Sequence, residues 1–162
     1  MKKVLDGLEK TITVICSVLF IGIALLIAAQ VFTRYVMNNA LSWSEQAARM
    51  LFIWMTLLYA SVLVRKMANL GFDIVVKMLP KTARDIVQIL GELIVLGFAL
   101  YWAYQSIALC SSFTSLKFSG IKIPYNIIYS AEPVGATLIA IFSVEIILNH
   151  IKAMLAERGA AK

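Results

Sequence analysis

The chain has 162 residues, 61% of them hydrophobic, with a mean hydropathy of +0.86 and a net charge of +6. That apolar share exceeds the roughly 45–50% of a soluble domain, and a core this small cannot hide it, so lipid must cover part of the surface. The positive charges fall in the gaps between apolar runs rather than on one soluble face, which argues against nucleic acid as a partner, and four apolar runs of span length leave almost nothing over for a soluble catalytic domain.

Residues 11–33 carry no charge over 23 positions. A membrane span needs about 20 mostly apolar residues to cross roughly 30 Å of hydrocarbon, so this run predicts a first span over about 11–36. Lys2 and Lys3 ahead of an apolar run resemble the start of a signal peptide. A signal core is only about 7–15 residues long and ends at a small-x-small site. Here the run is longer and ends at residues 30–34 without such a site, so a retained anchoring helix is expected.

The second span is expected over about 42–64, stopped by Arg65 and Lys66. Its opening, Ser42-Trp43-Ser44-Glu45, fits a capping box, in which Ser42 caps the helix and Glu45 reaches back from the third position. Glu45 and Arg49 then stand i, i+4 in the favourable order, and Arg34 at the end of the first span is placed to join them across the link. Tyr35 and Trp43 suit the aromatic belt at a membrane–water boundary. By itself this pattern describes a well-tied hairpin between two spans.

Between spans two and three, Leu70, Ile74 and Met78 recur at helical spacing, with Asp73, Lys77, Lys81 and Arg84 on the other side and Pro80 as a closing signal. The pattern fits a short amphipathic helix over about 69–84 lying at the membrane interface, or a loosely ordered connector. The third span is expected over about 86–115 and the fourth over about 125–149, after Pro124. Glu92 interrupts the third, while Glu132 and Glu145 interrupt the fourth. Charges at membrane depth cost about 2.5–3.5 kcal/mol on insertion scales, so each requires a reason. Gln88 lies one turn before Glu92 and Asn149 one turn after Glu145, as local hydrogen-bond partners. Glu132 precedes Pro133, which removes a helix hydrogen bond and predicts a kink. These acids read as a proton or cation path, or as buried helix–helix contacts satisfied internally or by a partner subunit. The absence of a basic residue within any span favours the second reading.

Eleven Lys and Arg residues fall in the two tails and the 65–85 link, against four in the other two links. This bias predicts cytoplasmic N- and C-termini. The chain is thus expected to be an all-α integral membrane protein, one four-helix domain over 1–162.

No catalytic, metal, cofactor or substrate-binding set emerges. The one histidine, His150, lacks the partners that haem ligation, a zinc site or a Ser-His-Asp arrangement demands. Cys16 and Cys110 sit at depths differing by roughly 20 Å or more at 1.5 Å rise per residue, too far apart for a disulfide, and read as small hydrophobes.

The segment VFTRYVMNNALSWSEQAARMLFIW resembles the signature of the small (Q-type) membrane subunit of tripartite ATP-independent periplasmic (TRAP) transporters. In that signature an arginine–tyrosine pair ends the first span and Trp-Ser-Glu-Glu opens the second. GFDIVVKMLP, with Asp73 and Leu79-Pro80, and IKIPYNIIYSAEPVG, with Pro124, Tyr129, Pro133 and Gly135, match two further family segments in order. The likeness extends over about residues 5–150. Gln46 stands where the family often has a second glutamate, which counts against any mechanism needing two acids there.

The resemblance implies a multi-pass subunit of the bacterial inner membrane with membrane lipid around it. Its partners would be a large elevator-type permease subunit carrying the substrate and sodium sites, and a periplasmic binding protein. The chain would serve as scaffold in uptake of organic acids such as C4-dicarboxylates or sialic acid, driven by an ion gradient. On that reading Arg34, Glu45 and Arg49 hold the outer hairpin, with Trp43 in the belt. Glu92, Glu132 and Glu145 would then face the subunit interface or a neighbouring helix. The competing reading is a self-contained oligomeric transporter or channel built around its membrane glutamates; small multidrug exporters are similar in span count, but carry an essential acid in a first span where this chain has none.

Overall fold

The computed structural model describes residues 2–37, 42–70, 81–112 and 124–160. They form α1 (Lys2–Val36), α2 (Ser42–Leu70), α3 (Lys81–Ser112), α4 (Tyr125–Tyr129) and α5 (Ala131–Ala160). Four helical stretches are long and apolar enough to cross a membrane: Lys3–Val36, Trp43–Lys66, Ile86–Ser112 and Tyr125–Leu155. The segment expected at the interface is divided: Leu70 belongs to α2, Lys81 begins α3, and residues 71–80, with Asp73 and Pro80, lie outside the described residues.

The helices outrun the apolar stretches that announce them. α1 begins at Lys2 because Leu5 and Leu8 continue the helical repeat of Ile12 and Cys16 and pack on the same cluster. Its 35 residues are about 52 Å long, so its first turns project beyond a hydrocarbon layer of roughly 30 Å. α2 likewise runs past Arg65 and Lys66 to Leu70. A charge ends a span, but it leaves the backbone ladder intact.

The fourth span is broken near its start. Pro124 sits in extended geometry (φ −64°, ψ 143°) as the N-cap of α4, and its carbonyl accepts from Ile127 N at 3.2 Å. Ser130 forms a turn between α4 and α5, with its N–H donating to Asn126 O at 2.8 Å. Pro133, three residues on, has no N–H to offer Tyr129, so the ladder cannot run unbroken through this point.

α5 is the centre of the bundle. It packs on α2 and on α3, while α1 packs on α2. Of its apolar window 44% is buried, against 6–17% for the other spans, which therefore present most of their apolar surface outward. One cluster joins Ile12 and Cys16 of α1, Val62 of α2 and Phe142 of α5; another joins Ala99 of α3 to Ile139 and Ala140 of α5. Small residues set the spacing, as expected where helices gain from van der Waals contact rather than from leaving water. Ala136, Ser61 and Ser143 are fully buried, and a Cβ on Gly135 would lie 3.1 Å from both the Cβ and the carbonyl oxygen of Leu57. Trp54 Nε1 donates to Ile127 O at 3.2 Å and ties α2 to α4.

Candidate functional site

Where α1 begins, α2 ends and α5 passes, the apolar cluster gives way within one helical turn to charge. Arg65 follows the buried Val62 by three residues and Glu145 follows the buried Phe142 by three, so each charged side chain continues the face its apolar neighbour has turned inward. Asp6 and Glu9, themselves three apart, approach from α1.

The Arg65 guanidinium is the hub. Its Nε and Nη2 donate to the two carboxylate oxygens of Glu145 at 2.7 and 2.9 Å, a two-pronged pairing. Nη2 also donates to Asp6 Oδ1 and Nη1 to Glu9 Oε2, both at 2.5 Å, and Nη1 reaches Leu5 O at 3.3 Å. The guanidinium carbon lies 5.4 Å from the Phe142 ring centroid. Lys66 Nζ adds a looser contact with Glu9 Oε1 at 3.8 Å. Arg65 and Glu145 are 8% and 7% exposed, so most of their hydration is replaced by each other. Asn149 and His150 complete a cleft of about 390 Å³ beside the cluster. Among the described residues no group of three or more His, Cys, Asp or Glu is arranged to hold a metal ion. Chemically, the arrangement is a clamp in which one cation binds three carboxylates and fixes α1, α2 and α5 to each other.

Several sequence expectations change here. Glu145 does not pair with Asn149; it is taken by Arg65, because a guanidinium fork neutralises a buried carboxylate and an amide cannot. The acids of the spans are therefore not all without a partner in the chain, and Arg65, read from sequence as a stop signal, faces inward. Glu92 forms no hydrogen bond with Gln88. It lies near Ser143 and His150 across the α3–α5 contact, where Glu92 Oε2, Ser143 Oγ and His150 Nδ1 are buried. Glu132 is half-buried in the first turn of α5 beside Pro133.

At the opposite end, Glu45 and Arg49 pair at 3.4 Å with side chains 65% and 58% exposed. Arg34 does not join them: it is exposed at the end of α1 and makes no ion pair among the described residues, since water already solvates it there. Trp43 is half-exposed in the first turn of α2. The Ser42 side chain lies outside the described residues, which leaves the capping box without a structural account. An exposed i, i+4 pair contributes about 0.3–0.5 kcal/mol, so Glu45→Gln is expected to leave the thermal midpoint in detergent nearly unchanged.

Asp6 and Glu9 were not singled out from sequence, and Arg65 only as the stop of the second span. The available signal was the three-residue step from a buried apolar residue to a charge, at Val62–Arg65 and Phe142–Glu145, together with two acids three apart in a tail otherwise rich in lysine.

A family model described as Tripartite ATP-independent periplasmic transporters, DctQ component, matches residues 23–153. The chain is 27% identical over 164 aligned residues to the sialic acid TRAP transporter small permease protein SiaQ of Vibrio cholerae, an alignment covering 99% of this chain and 91% of that protein. It is 34% identical over 77 residues to the sialic acid TRAP transporter permease protein SiaT of Haemophilus influenzae, covering 48% of this chain and 12% of that one. It is also 25% identical over 112 residues to the isethionate TRAP transporter permease protein DctMQ of Oleidesulfovibrio alaskensis, covering 68% and 18% respectively.

Proposed function

Because this chain belongs to the DctQ component family of tripartite ATP-independent periplasmic transporters, we propose that it is the fixed brace on which a larger, moving permease subunit works. The chain is a TRAP transporter small permease subunit, a multi-pass protein of the bacterial inner membrane and not an enzyme. Its partners are a large permease subunit and a periplasmic substrate-binding protein. In the proposed cycle a sodium gradient drives uptake of an organic acid, with sialic acid, isethionate and C4-dicarboxylates as the classes to test.

The observation that carries the bracing role is the Arg65 clamp. A cation bound by three carboxylates from two neighbouring helices stiffens one end of the bundle, and it consumes the membrane acid Glu145 that a self-contained exchanger would need free. With both termini in the cytoplasm, as the distribution of Lys and Arg favours, the clamp lies at the cytoplasmic end. Trp43, Glu45, Arg49 and Arg34 then form the periplasmic rim toward the binding protein, while Glu92 and Glu132 are left for contacts within the complex.

Reconstitution tests the reading. Liposomes holding the large subunit, this chain and the binding protein should accumulate labelled organic acid when a sodium gradient is imposed, and liposomes holding this chain alone should accumulate none. Flux through the isolated chain would overturn the brace in favour of a self-contained transporter.

A further inference from the structure

α5 leaves one narrow strip uncovered. Val134, Thr137, Ile141, Val144, Leu148 and Ile151 are exposed along it, and the strip continues to Leu155. Its apolar members up to Ile151 are all 38–42% exposed, whereas Ala136, Ala140, Phe142, Ser143 and Glu145 around it are buried. The steps alternate three and four residues from end to end. Such alternation has a mean period of about 3.5, the repeat that keeps a seam in register with one neighbouring helix. α3, by contrast, exposes Ile86, Val87, Leu90, Leu93, Ile94 and Phe98 over a broad arc, the pattern of a face turned to lipid.

The middle of the strip, Thr137, Ile141 and Val144, together with Ala140 and the clamp residue Glu145, is also the floor of a groove. Val4 and Leu5 of α1 form one wall and Leu96 and Leu100 of α3 the other, enclosing about 650 Å³ of almost wholly apolar space. Thr137 and Ala140 on the floor are small, which permits a close backbone approach. Two relatives indicate the occupant: the stretch matching this chain makes up only 12% and 18% of proteins named as permeases, so there the unit sits covalently beside several times its own length of permease chain. Charge disfavours a second copy, since a parallel pair joined along this strip would bring two exposed Lys152 side chains together beside it.

We propose that this groove takes one transmembrane helix of the large permease subunit, packed on α5 at the shallow left-handed crossing, about 20°, of knobs-into-holes contacts. The proposal rests on the reading of the chain as the small subunit. Photo-crosslinking residues placed at Thr137, Val144 and Leu148, in membranes containing both subunits, should each yield an adduct with the large subunit. Ile94 and Phe98 serve as lipid-facing controls and should yield little. Adducts confined to lipid, equal yields at the controls, or a dimer of this chain would overturn the proposal. In parallel, Thr137→Trp and Val144→Trp should lower recovery of the large subunit on co-purification by about tenfold or more, while Phe98→Trp should not. Each variant is first checked for a monodisperse profile in detergent without the partner. If the unmodified chain fails to co-purify, the subunit reading itself fails; if it co-purifies and both groove variants retain full recovery, only the groove assignment fails.

Discussion

Arg65→Leu is expected to lower stability by about 3–5 kcal/mol, the effect of removing one member of a buried ion pair and leaving its partner charged. Glu145, Glu9 and Asp6 would then face one another with Lys66, 3.8 Å from Glu9, as the lysine that lines the cleft. Arg65→Lys should fall between wild type and Arg65→Leu, since it keeps the charge but loses the fork that holds both oxygens of Glu145. Glu145→Gln should cost less than Arg65→Leu, because Arg65 retains Glu9 and Asp6. The double variant Arg65→Leu/Glu145→Leu should regain about half of the loss, as apolar replacement of a buried pair is often near neutral. Unfolding in mixed micelles, titrated with a denaturing detergent, orders the four variants. If Arg65→Leu were as stable as wild type, the clamp would have no structural role and the bracing argument would lose its main support.

Gly135→Val is expected to cost about 2–3 kcal/mol, within the usual range for overpacking. The added Cβ would meet the Leu57 carbonyl oxygen and Cβ at 3.1 Å, and a helix backbone cannot step aside as the end of a flexible side chain can. α2 would have to move away from α5, loosening the contact that also aligns Arg65 with Glu145. Gly135→Ala should cost less, because the crowding is partly offset by a gain in helix propensity of about 1 kcal/mol. Gly97 on α3 has nothing within 4 Å of a built Cβ, so Gly97→Val should be tolerated and serves as the control. Equal midpoints for Gly135→Val and Gly97→Val would show that α2 and α5 do not approach as closely as described.

These two effects differ in how far sequence could foresee them. Gly135 stands in a segment already marked by family likeness, yet its neighbour Leu57 lies 78 positions away, and the close approach depends on the rotation of α5 about its own axis. Glu145 was recognised as an acid needing a reason. The partner proposed for it was four residues along the same helix, whereas the actual partner is 80 residues distant. Arg65 was counted among the positive charges that orient the chain, which described its position along the span but not its direction around the helix. Glu92 remained open for the same reason: only the packing of α3 on α5 sets it opposite Ser143 and His150.

Crossing a bilayer is a property of each stretch of about 20 residues taken alone, because the solvent is lipid and every backbone hydrogen bond closes within the helix. The sequence by itself therefore determined the four spans, the all-α class and the family likeness. Which helix is central, which charges meet and which strip stays open were decided only by the tertiary structure. Those outcomes depend on the relative rotation of helices whose contacts lie 56–80 residues apart, and the small buried residues that set it are ordinary in any membrane helix until their neighbours are known.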